Sequence, residues 1–124
     1  MLEEIPAEDL KAGQCALVLW TRSQPTARVF FAVNTPQQEA RIKLSGRKRV
    51  LTFQEADGEL IFGHAATTIY TDDALTLTTR LQIEPRSGLV GGALAPEGVL
   101  ELKDQAGWSA IIPVSGLIAC APNR

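Results

Sequence analysis

Residues 75–84 alternate without a break: Leu75, Leu77, Thr79, Leu81 and Ile83 on one phase, Thr76, Thr78, Arg80, Gln82 and Glu84 on the other. Side chains two apart share a face of a strand, so this stretch predicts a strand with one dry and one wet face. The same period, broken about every ten residues by turn chemistry, runs through almost everything after Gly13. Helical spacing is confined to residues 6–11, where Pro6, the acids Glu8 and Asp9 and a following Gly13 predict a short helical turn.

Two early strands, 15–21 and 28–34, carry apolar residues on both phases: Leu17 and Leu19 are backed by Val18 and Trp20, and Val29, Phe31 and Val33 by Phe30 and Ala32. Such strands are expected to be covered on both sides, or to turn one face to a second contact surface. Residues 40–53 predict a hairpin about a two-residue turn at Gly46-Arg47, which would oppose Lys43 to Val50, Ile42 to Leu51 and Ala40 to Phe53. Further strands are expected at 60–71, with Gly63 as a break, at 98–103, at 108–115 and at 117–120. Pro113 lacks a ladder donor and so marks a strand edge or a bulge. About eight or nine short strands at this spacing predict an all-β fold, a single antiparallel β-sandwich with a small closed β-barrel as the alternative. At 124 residues the chain has room for one domain, read here as an acidic lead-in over 1–13 and a β domain over 14–124.

A composition 45 % hydrophobic and 21 % charged excludes disordered and low-complexity classes. No apolar run reaches the roughly 18 residues of a membrane helix. Residues 1–10 hold four acids (Glu3, Glu4, Glu8, Asp9) and no base, unlike a signal or transit peptide. The formal charge of −2 conceals a split, with +7 over residues 11–54 and −6 over residues 55–104.

Five of the early bases, Arg41, Lys43, Arg47, Lys48 and Arg49, fall on the 40–53 hairpin and form the most localised functional signal. Like charges this close call for screening or a compensating anion. Their partner is expected to be an acidic protein or an anionic envelope component, unless the acidic half of the domain neutralises them. Nucleic acid fits poorly, since aromatic content is 6 % and no RNA-binding motif accompanies the bases.

Cys15 and Cys120, near the two ends of the folded segment, are expected to form a disulfide closing a loop of roughly a hundred residues. His64 is the single histidine, and with two distant cysteines it offers no metal-ligand spacing; a histidine hydrogen-bonded within the fold or at its edge is expected. Asp72-Asp73 and Glu55, Asp57 and Glu59 read as solvated turn acids, without the spacing of a calcium loop. The glycine-rich segment 88–96 matches no phosphate-binding fingerprint, and its Leu89, Val90 and Leu94 are expected to cap an open end of the core. Trp20 and Trp108 are expected in the core.

No catalytic constellation, metal site or cofactor is expected from these residues. They point to a nonenzymatic extracytoplasmic domain, periplasmic or envelope-associated, that binds through its surface. The alternatives are a barrel holding a small apolar ligand and an enzyme using His64 as base. Extracytoplasmic placement requires a signal peptide already removed; with Met1 as the native start the protein would be cytoplasmic.

Overall fold

The computed structural model describes residues 2–85 and 92–121. They form nine strands: β1 (Leu2–Glu3), β2 (Cys15–Thr21), β3 (Arg28–Val33), β4 (Glu39–Leu44), β5 (Arg47–Asp57), β6 (Thr67–Thr71), β7 (Leu75–Pro85), β8 (Gly92–Asp104) and β9 (Ser109–Cys120). From β2 to β9 each strand pairs antiparallel with the next, and β9 returns to pair with β2. The result is a closed eight-stranded up-and-down barrel, the alternative rather than the first of the two expected architectures. β1 is an extra strand on β4, opposing Leu2 to Leu44 and Glu3 to Lys43 beyond Arg41, the last β4 residue paired with β3.

A barrel forms because consecutive strands are joined as hairpins and the last strand has a full-length partner in the first. Alternation puts Leu17, Leu19, Phe30, Ala40, Ile42, Leu51, Tyr70, Leu77, Leu100, Leu102, Val114 and Ile118 inside, where they pack as one cluster. Bulges in β2–β3, β5–β6, β7–β8 and β8–β9 bend the wall. Gly116 faces inward at the seam, and a Cβ there would lie 1.9 Å from the Val18 carbonyl oxygen.

The two-sided apolar strands have a cover on each side. Phe31, Val33 and Ala16 face outward from β3 and β2 and pack with Ile5, while Leu10 and Val18 border them. Residues 5–10 thus lie as an extended arm across the outside of the wall, tied by Ile5 N–H to the Arg28 carbonyl at 2.8 Å. The helical turn expected over 6–11 is absent. Its residues gain more by burying Ile5 and Leu10 on the barrel than one or two unsupported turns would contribute.

The hairpin of β4 and β5 turns one residue earlier than expected. Ser45 and Gly46 occupy the turn with φ of 51° and 80°, the two left-handed positions of a type I′ turn, which matches strand twist. The register therefore opposes Leu44 to Arg47, Lys43 to Lys48, Ile42 to Arg49 and Ala40 to Leu51. Faces are preserved because the shift is even, but Arg49 replaces Leu51 as the neighbour of the buried Ile42.

The strand expected at 60–71 begins only at Thr67. Residues 58–66 instead cross the end of the barrel, where Ile61 packs on the core, His64 and Ala65 are buried, and Phe62-Gly63 make a second tight turn with φ of 50° and 84°. That connection supplies the end cap expected of segment 88–96; residues 86–91 lie outside the described residues, and 92–96 belong to β8. The strands expected at 108–115 and 117–120 are one, β9. Pro113 sits just beyond the last β2 pair, Thr21 with Val114, so its missing N–H falls at a local edge.

A methyl group at Gly116 has to displace backbone across the seam, whereas Gly107, with nothing within 4 Å of its virtual Cβ, asks only for its φ of 96°. Gly116→Ala is expected to lower unfolding stability by about 2 kcal/mol or more, and Gly107→Ala by about 1 kcal/mol. Urea titration of both variants checks the order.

Candidate functional site

The five hairpin bases separate into two groups. Arg41 faces outward and ion-pairs with Glu8 of the arm, with Glu39 at 3.9 Å. Arg49 grips Asp72 of the β6–β7 turn through two hydrogen bonds, Nε to Oδ2 and NH2 to Oδ1, both 2.9 Å. This fork geometry matches carboxylate to guanidinium and ties two hairpin tips together. Asp72 also accepts the Ala74 and Leu75 N–H groups at 2.9 and 2.8 Å. Burial alone would raise its pKa, but those two N–H donors and Arg49 together hold it below the usual value. Asp72 is thus a fixed structural acid rather than a solvated one.

Lys43, Arg47 and Lys48 remain. Lys43 and Lys48 stand directly opposite each other on the outer face, and Arg47 follows the turn. Among the described residues none of the three has an ion-pair partner within 4.0 Å. Glu3 is in register with Lys43, but its carboxylate accepts the Gly46 N–H at 2.7 Å. Arg47 and Lys48 border a surface hollow of about 480 Å³ shared with Asp72, Asp73 and Ala74.

At the opposite end of the barrel Cys15 pairs with Cys120 in a disulfide that joins β2 to β9 at the bottom of the seam. His64 lies against this corner, 1 % exposed, with Nε2 at 3.1 Å from the Cys15 carbonyl oxygen. A carbonyl only accepts, so Nε2 carries the proton and Nδ1 is left as a buried acceptor with no partner among the described residues. Burial depresses the pKa of the ring, partly countered by the Cys15 bond. Among the described residues no carboxylate or nucleophile is hydrogen-bonded to the ring. Tyr70, buried inside the wall, accepts a 3.1 Å bond from Gln38 Nε2, and burial pushes its phenol up to about 12.

Among the described residues no three His, Cys, Asp or Glu side chains gather as a metal site, and no helix is long and apolar enough to cross a membrane. Glu55 and Asp57 are exposed at the end of β5, and Glu59 on the connection after it. The tryptophans are not core residues. Trp108 is 43 % exposed in the β8–β9 turn, where Asp104 Oδ1 accepts its backbone N–H, and Trp20 is half-buried in an outer groove with Leu94, Pro96 and Leu117. Their neighbours in sequence are apolar, but phase points Trp20 outward and the turn carries Trp108 past the wall.

The pairings of Arg41 with Glu8 and of Arg49 with Asp72 were not legible in advance. The local signal for the second was the strand phase of Arg49, which it shares with the buried Leu51. No known protein family, curated protein or solved structure matches the chain.

Two outcomes are expected of the disulfide corner. Unreduced protein should weigh two hydrogens less than its sequence mass, and Cys15→Ala with Cys120→Ala should cost about 2–5 kcal/mol of stability, read by denaturant unfolding. Stability should also fall as pH drops below about 6.5, because the unfolded chain protonates His64 while the folded chain resists it. That fall approaches about 1.4 kcal/mol per pH unit at most, and His64→Gln should remove it from urea midpoints measured between pH 7 and 5.

Proposed function

We propose that this protein is a nonenzymatic binding domain of an oxidising, extracytoplasmic compartment, and that it takes an anionic or acidic partner on the outer face of the β4–β5 hairpin. The observation that carries the reading is the Lys43–Lys48 pair, two lysines in register on neighbouring strands next to Arg47, none of the three with an ion-pair partner within 4.0 Å among the described residues. At a separation of about 5 Å two such charges repel by up to about 1 kcal/mol in water, and a carboxylate, sulfate or phosphate placed between them turns that repulsion into attraction.

Two further features support it. The barrel interior is filled by large side chains from every wall strand, which favours a surface role over an enclosed apolar ligand. The Cys15–Cys120 bridge is the kind of bond that persists where thiols are not kept reduced. The recognition surface is smaller than the five bases of the hairpin, since Arg41 and Arg49 are engaged by Glu8 and Asp72.

A Lys43→Glu, Arg47→Glu, Lys48→Glu variant keeps both engaged arginines and changes exposed or half-exposed groups. On immobilised heparin and on vesicles containing anionic lipid at low ionic strength, the wild type should be retained and the variant should elute with the salt front. Equal retention of the two proteins would exclude this surface as the anion site.

A further inference from the structure

A closed barrel leaves backbone edges only where a strand outruns its neighbour. β5 passes the start of β4 at 54–57, β7 passes the start of β6 at 82–85, and β9 passes the end of β2 at 109–112. The first stretch carries Glu55 and Asp57, and the second carries Glu84 and ends on Pro85. Charge and proline at an edge deter pairing with another chain. The third reads Ser109-Ala110-Ile111-Ile112, with no charge, and Ile111 is 64 % exposed, more than any other large apolar side chain among the described residues. Trp108, beside it, is 43 % exposed.

The edge also presents its backbone. Arg22 N–H reaches the Pro113 carbonyl across the seam at 3.4 Å, so that carbonyl points toward the β2 side. Successive residues alternate, which aims the N–H and C=O of Ile111 and Ser109 the same way, into the space beyond the end of β2. Among the described residues none of these four groups has a backbone partner on that side.

We propose that this edge pairs with the same edge of a second copy, antiparallel, about a two-fold axis at Ala110. That axis brings Ile111 of each copy opposite Ser109 of the other, where each pair exchanges both N–H···O=C bonds and the Ile111 side chains lie on the outer face. Self-pairing is allowed at this edge because no like charges face each other; at 54–57 it would set the acids Glu55 and Asp57 of one copy against those of the other. Pro113 has no N–H and its carbonyl is taken by Arg22, so the contact stays short, and a two-fold contact closes on itself as a dimer. A patch this small makes a weak dimer that depends on concentration.

Sedimentation velocity from about 5 to about 500 µM should show a monomer–dimer equilibrium, with half-association in the upper part of that range. Ile111→Lys, at an exposed position, should raise the half-association concentration at least tenfold, and Asp57→Asn should leave it unchanged. In the wild type, amide exchange of Ile111 should slow as concentration rises. A wild type that stays monomeric at the highest concentration overturns the proposal, as does a dimer indifferent to Ile111→Lys or one without concentration-dependent protection at Ile111.

Discussion

The pairing of β2 with β9 is the constraint on which the rest depends. It runs from Cys15 opposite Cys120 to Thr21 opposite Val114, joining the two ends of an otherwise open meander. Without it the first and last strands would expose unpaired backbone along their length, and the inward row of Leu17, Leu19, Val114 and Ile118 would lose its opposite wall. Gly116 allows the strands to meet closely, and the disulfide fixes one end of the seam at a sequence separation of 105. The seam is also the contact of longest sequence separation in the barrel, so its loop-closure entropy is offset by a ladder, a shared core and a covalent bond together.

Charge is arranged around this frame so that opposite signs meet at the junctions. The acidic arm crosses the basic early strands, placing Glu8 on Arg41 and Glu3 on the Gly46 N–H. The basic hairpin meets the acidic later strands through Arg49 and Asp72, while Arg22 and Glu97 come within 4.0 Å near the seam. The split between a basic first half and an acidic second half is therefore partly resolved inside one molecule. Lys43, Arg47 and Lys48 are the cations of the hairpin that it does not absorb, which is why the anion-binding reading rests on them.

Much of the wall was legible residue by residue. The alternation at 75–84 matches β7, and the two-sided apolar character of 15–21 and 28–34 reports the barrel on one side and the arm on the other. Pro113 marks the point where β9 loses a neighbour. The errors fall where a local signal competes with a distant contact. Residues 6–11 carry helix-start signals but bury Ile5 and Leu10 on the wall; residues 60–66 carry strand-like phase but are drawn across the barrel end by His64 and Ile61. At the hairpin, Gly46 fits either a first or a second turn position, and only the identity of the residue at its side decides which; Ser45 accepts the left-handed conformation.

The amino-acid sequence by itself determined that this chain is all-β, where most strands lie and which side chains share a face, because those properties depend on neighbours one and two residues away. It also placed the two cysteines near the ends of the barrel's first and last strands. Whether those strands would close a barrel or edge a sandwich was decided only by tertiary structure, since both use the same alternation and differ in whether β9 finds β2 more than ninety residues distant. The same holds for the hairpin bases. Their number is written in the chain, but which of them an acid neutralises depends on Glu8 and Asp72, brought 33 and 23 residues across the fold to Arg41 and Arg49.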